Sequence, residues 1–223
     1  MNINKHLILL FSVLFFLFAV SVSSGCFRKN ESDVKSVVRN ELDQLKNLDS
    51  ETTQKYIPYT ELFPDATENT DLTDEINKTF SLFFRKFNYK ISDVIVGTAN
   101  HSATVSVKLT TIDSKVLARD FKAELLRTQI TESAQAQKGN IKDSSRSLEA
   151  HYLILNHLLN TNDYDTAETD CNIQLVNTGN DKKEKWKIQR TNSLEDDLVG
   201  GLIADLADPD ILSPEDTLTV YLD

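Results

Sequence analysis

Residues Ala103 to Ile112 alternate with few breaks: Ala103, Val105, Val107 and Leu109 fall on one side, Thr104, Ser106, Lys108 and Thr110 on the other. Successive side chains of an extended chain point to opposite faces, so this pattern specifies a strand with one buried and one wetted face. The preceding run, Tyr89 to Val96, pairs with it as a hairpin across Gly97-Thr98-Ala99-Asn100-His101-Ser102, which carries the turn residues. Its apolar parity changes between Ile91 and Val94, which predicts a bulge near Ser92–Asp93. A second alternation runs from Asp165 to Val176, with Ala167, Thr169, Cys171, Ile173 and Leu175 on the apolar side. Gly179-Asn180-Asp181 turns it into Glu184 to Gln189, where Trp186 and Ile188 point inward.

The segments around these strands have the helical period instead. Asp33 is placed to cap a helix carrying Val34, Val37, Val38, Leu42, Leu45 and Leu48, and Pro58 and Pro64 mark where regular helix should stop. A second helix, capped by Asp71 or Thr73, carries Ile76, Phe80, Phe83, Phe84 and Phe87, an aromatic stripe expected in the core. Val116, Leu117, Phe121, Leu125, Leu126 and Ile130 mark a third; Ser133 to Ser147 reads as a loop. Leu148 to Leu159 follows as a helix with Tyr152, Leu153, Leu155 and Leu158. Asn192 or Ser193 would cap a last helix with Leu194, Leu198, Leu202, Ile203 and Leu206, weakened by Gly200-Gly201 at roughly 1 kcal/mol per glycine. The tail from Asp208 ends in a short edge strand expected at Leu218 to Leu222.

The first 25 residues have the order of a secretory signal: Lys5, an apolar run from Leu7 to Val22, then small residues. Ser23-Ser24-Gly25-Cys26 resembles the lipobox of bacterial lipoproteins, although that family prefers Leu three residues before the cysteine, where this chain has Ser23. The resemblance implies cleavage before Cys26, diacylation of its thiol, and a domain tethered to the membrane outside the cytoplasm, in the cell envelope. Two acyl chains anchor stably where one does not. An uncleaved membrane anchor and a plain secreted protein are the other readings. In the last, Cys26–Cys171 is the only disulfide the composition allows; lipidation excludes it.

Helices, hairpin, helical pair, second hairpin and the Trp186-Lys187-Ile188 strand, in that order, resemble small extracytoplasmic lipoproteins with a cystatin-like or NTF2-like domain. The resemblance implies an α+β fold: a curved antiparallel sheet packed on N-terminal helices, forming a cone, with 115–160 as an inserted helical pair. The expected partition is signal peptide 1–25, lipidated tether 26–32, one domain 33–207 and a tail 208–223.

Chemistry is sparse. The formal net charge is −10, which argues against nucleic acid, whose phosphates such a surface repels. No inward strand position holds an acid or histidine, which argues against general acid–base catalysis unless Asp93, Asp113 or His151 faces the interior. His151 and His157 lie six apart, about 240° around a helix, and cannot share a metal. No zinc pattern occurs, and the acidic runs Asp163, Asp165, Glu168, Asp170 and Asp205, Asp208, Asp210, Glu215, Asp216 lack the spacing and glycine of a calcium loop. No catalytic residue, metal or cofactor is expected. The expected function is a membrane-tethered binding protein, with Tyr89, Val105, Val107, Cys171 and Trp186 lining a pocket for a small apolar ligand or a partner. The alternative is an interaction lipoprotein with a filled core and an acidic surface for a basic envelope partner.

Overall fold

The computed structural model describes residues 30–56, 62–63, 72–97, 101–136, 147–179, 184–213, 216–217 and 220. The leader, Cys26, Asp71, Pro58 and Pro64 lie outside the described residues. Among the described residues the chain is α+β, with seven α-helices up to residue 207 and a four-stranded antiparallel open sheet of order β1-β2-β3-β4. The helices are α1 (30–46), α2 (Ser50–Tyr56), α3 (Thr73–Phe83), α4 (Ser114–Ala136), α5 (Leu148–Thr161), α6 (Asn192–Leu198) and α7 (Leu202–Ala207). The strands are β1 (Asn88–Val96), β2 (Ser102–Ile112), β3 (Thr166–Asn177) and β4 (Trp186–Ile188).

The alternating runs become strands with the expected faces. Val105 pairs with Val94 and Ile173, and Val107 with Ile91 and Cys171, so one apolar side runs across the sheet. The register of β1 slips between Ile91 and Asp93, leaving Ser92 as the extra residue at the place the parity change predicts. On the other side Thr104 donates to Gln174 (3.0 Å), Ser106 to Asn172 (2.8 Å) and Lys108 to Glu168 (3.1 Å), a polar ladder in solvent. The apolar side joins one hydrophobic cluster with Val34, Val38, Phe80, Phe84, Leu117, Phe121, Tyr152 and Leu198. The described helices of the 115–160 stretch share that cluster: α5 packs on α3 and α4 on α7.

Helix boundaries depart from expectation for identifiable reasons. Residues 30–32, expected in the tether, are already helical, so Asp33 lies inside α1 and is not its cap. At the other end Leu48 is exposed and takes a left-handed φ of 62°. The Asp49 amide reaches back to the Gln44 carbonyl (2.9 Å), a chain reversal usually given to glycine. Asp49 then accepts from the Thr52 amide (2.8 Å) and starts α2, which the apolar pattern does not announce. The N-cap of α3 is Leu72, with no side-chain bond, rather than Asp71 or Thr73. Residues 133–136 of the expected loop continue α4. Leu153, expected in the core, is exposed. Thr191 caps α6 by accepting from the Leu194 amide (3.1 Å), in place of Asn192 or Ser193. The expected single helix breaks at Gly200 and Gly201, whose φ values are 66° and 92°. In the tail, residues 216 and 217 are helical; of the edge strand expected at Leu218 to Leu222 the described residue is Val220, which is helical and buried.

Candidate functional site

The five residues expected to line a pocket occupy one side of the sheet. Val105 has no accessible surface, Val107 and Cys171 keep 2 %, and Trp186 keeps 6 %. A ligand-sized space needs exposed lining, so nothing of that size adjoins these four. The Trp186 indole N–H donates to Glu184 (3.2 Å) at the margin of the sheet. Tyr89 is half-buried, and its hydroxyl donates to Asp43 Oδ1 on α1 at 2.5 Å. Burial, reinforced by that carboxylate, pushes the Tyr89 phenol up to about 12. The residue is a strut between β1 and α1, helped by Lys46 Nζ donating to Asn88 Oδ1 at 2.9 Å. The structure therefore brings the five to one side, buries four of them in the core and ties Tyr89 to α1.

The groups with chemical potential are engaged in packing or capping. Burial holds the Cys171 thiol up to about 12, with Asp197 adding to the effect. Burial likewise raises Asp197, while its hydrogen bond with Cys171 opposes that. A thiol held this high is protonated and unreactive at neutral pH. His151 is half-buried between Phe63 (ring centroids 4.9 Å apart) and Phe121 (5.7 Å). Its Nδ1 lies 2.8 Å from the Ser147 carbonyl, and burial lowers its pKa although that bond opposes the shift. Asp113 accepts from the Val116 amide (3.3 Å) at the start of α4, and Asp93 stands exposed beside the bulge.

Two polar positions were not singled out by sequence reasoning. Asn156 is buried on α5, where its Oδ1 accepts from Thr79 Oγ1 of α3 at 2.9 Å. Glu195 is 4 % exposed and accepts from Arg190 Nε at 2.9 Å, so its charge is neutralised where α6 meets the sheet. Neither carries a sequence signal beyond a polar residue among apolar ones. Both hold elements together.

Clefts of ≈ 450 Å³, ≈ 360 Å³ and ≈ 410 Å³ open on the helical side. The largest is lined by Arg119, Asp120, Glu124 and Arg127, whose charges already pair: Arg119 with Asp120 and Arg127 with Glu124. Among the described residues no three His, Cys, Asp or Glu side chains are grouped to hold a metal. Among them, too, no helix is long and apolar enough to cross a membrane. In comparisons with protein families, curated proteins and solved structures, nothing matches this chain.

Proposed function

We propose that this chain is a non-catalytic interaction lipoprotein of the cell envelope, held at the membrane by a diacylated Cys26, that works through its surface and not through a pocket. The observation that carries this reading is the packing of Val105, Val107, Cys171 and Trp186 into the common core. With the inward side of the sheet filled, recognition falls to the exterior, and a net charge of −10 selects a basic partner. The tether rests on the leader and on Ser24-Gly25-Cys26. Within the α+β class we read the sheet as the cystatin-like or NTF2-like kind, a curved sheet around a cone. The hairpin order and the strand-bending bulge in β1 support that reading. In this chain the cone would be filled by its own side chains. The rival reading, a small apolar ligand among Tyr89, Val105, Val107, Cys171 and Trp186, would require the helices to lift from the sheet.

The tether is tested by Cys26→Ala in the native host: membrane retention should be lost, and unchanged retention with normal leader processing would sink it. The surface reading is tested by cross-linking the full-length protein in intact envelopes at low and at high salt. Exposed charges more than about 8 Å apart are largely screened at physiological ionic strength. A basic partner that is captured at low salt and lost at high salt is the expected result. Salt-independent capture, or an acidic partner, would contradict it.

A further inference from the structure

β3 is a twelve-residue strand with a three-residue neighbour. β2 covers one side of it throughout, but β4 pairs only with Leu175, Val176 and Asn177. One more bond continues that side, from the Gln189 amide to the Gln174 carbonyl at 2.8 Å. In an antiparallel strand the backbone groups of alternate residues point to opposite sides. With Gln174 facing β4, the amides and carbonyls of Thr166, Glu168, Asp170 and Asn172 face the same way. Among the described residues none of these backbone groups has a hydrogen-bond partner on that side, and all four residues are exposed. α6 packs against β3, with Asp197 reaching Cys171 from the apolar side, and gives the edge no backbone partner.

An unpaired row of this length is a template for another strand. Charge selects what can use it. Glu168 and Asp170 stand on the edge residues themselves, with Asp165 just before them and Asp197 beneath, and the nearby Lys108 of β2 is already engaged by Glu168. A second copy pairing antiparallel about Thr169 would set Glu168 opposite Asp170, and directly opposed like charges destabilise a sheet. A basic strand would instead meet opposite charges at Glu168 and Asp170.

We propose that the free edge of β3, residues 166–173, is a strand-addition site for an extended, lysine- or arginine-rich segment of a partner protein. The inference rests on the surface-interaction reading above and names its location and geometry. Apolar residues alternating with the cations would lie over Ala167 and Thr169, on the side of the sheet that α6 leaves half-open.

The test is residue-resolved amide exchange on the full-length protein in a zwitterionic detergent, with a capped octapeptide of alternating Lys and Val as the probe. In the free protein the amides of Glu168, Asp170 and Asn172 should exchange fast beside slow Cys171 and Ile173. Adding the probe should slow the first three by about tenfold or more, the effect of converting open edge amides into ladder amides. The same peptide N-methylated on its bonding edge, or with Glu for Lys, should not. Asp170→Lys should weaken the probe by about fivefold, the scale of reversing one cross-strand charge pair. Protection that appears elsewhere would overturn the edge while sparing the surface reading. Absence of any salt-sensitive binding by the basic probe would count against both. Edge amides already slow in the free protein, or equal protection by the acidic peptide, would overturn the edge alone.

Discussion

Replacing Gly200 by Ala separates two effects that the joint between α6 and α7 combines. An added Cβ would lie 2.3 Å from Thr111 Oγ1, 3.2 Å from Thr111 Cβ and 3.4 Å from the Ile112 carbonyl, at a φ of +66°. The left-handed backbone alone costs an L-residue about 1 kcal/mol. The contact with Thr111, buried at the end of β2, adds an overpacking cost of about 1–3 kcal/mol because a strand cannot swing aside as a surface side chain can. The sum is roughly 2–4 kcal/mol. Gly201 is the internal control: its φ is +92°, but the nearest atom to an added Cβ is Ser114 Oγ at 3.7 Å. Gly201→Ala should therefore show the backbone cost alone, about 1 kcal/mol. Urea denaturation of both variants, together with Thr111→Ala and the Gly200→Ala/Thr111→Ala pair, gives the partition. Thr111 Oγ1 is buried without a hydrogen-bond partner, so removing it sacrifices no bond. The pair should recover about 1–2 kcal/mol of the Gly200 penalty as coupling energy. Equal effects of Gly200→Ala and Gly201→Ala, with no coupling to Thr111, would refute the close approach of α6–α7 to the sheet.

Other consequences follow from single positions. Leu48 holds a left-handed φ of 62° while 42 % exposed, so Leu48→Gly should raise stability by about 0.5–1 kcal/mol in the same assay. His151 has a folded pKa below its ordinary value, so the unfolded chain binds a proton first as pH falls; stability should drop below about pH 6.5, and His151→Phe should flatten that dependence in thermal melts. Cys171, buried with its thiol pushed up to about 12, should resist iodoacetamide in the folded protein and react once urea unfolds it.

The strands were the most legible part of the chain because period two leaves little choice of face. Even the extra residue at Ser92 was visible as a change of parity between Ile91 and Val94. Helix ends were less legible because their determinants are single bonds. Asp49 starts α2 through Thr52, in a segment too short for a period, and Leu48 turns the chain where glycine would have announced the stop. Leu153 and Leu155 look alike in sequence, and only the placement of α5 against α3 buries one and exposes the other. The pocket expectation met a deeper limit. An inward Val105 or Cys171 has the same sequence pattern whether the space beside the sheet is open or filled, and the helices that cover the sheet are distant in sequence. The edge of β3 was invisible for a related reason: its freedom depends on how briefly β4 accompanies it, not on any residue in β3 itself.

A filled interior and action from a lipid tether through the surface have one joint consequence for the mass of the native protein. A native mass spectrum of the protein released gently from its own membranes tests both parts together. The expected species is a chain beginning at Cys26, heavier by a covalent diacylglyceryl group, with no further small molecule attached. A reproducible adduct that disappears on denaturation, or a chain that retains its leader or lacks the lipid, would contradict it.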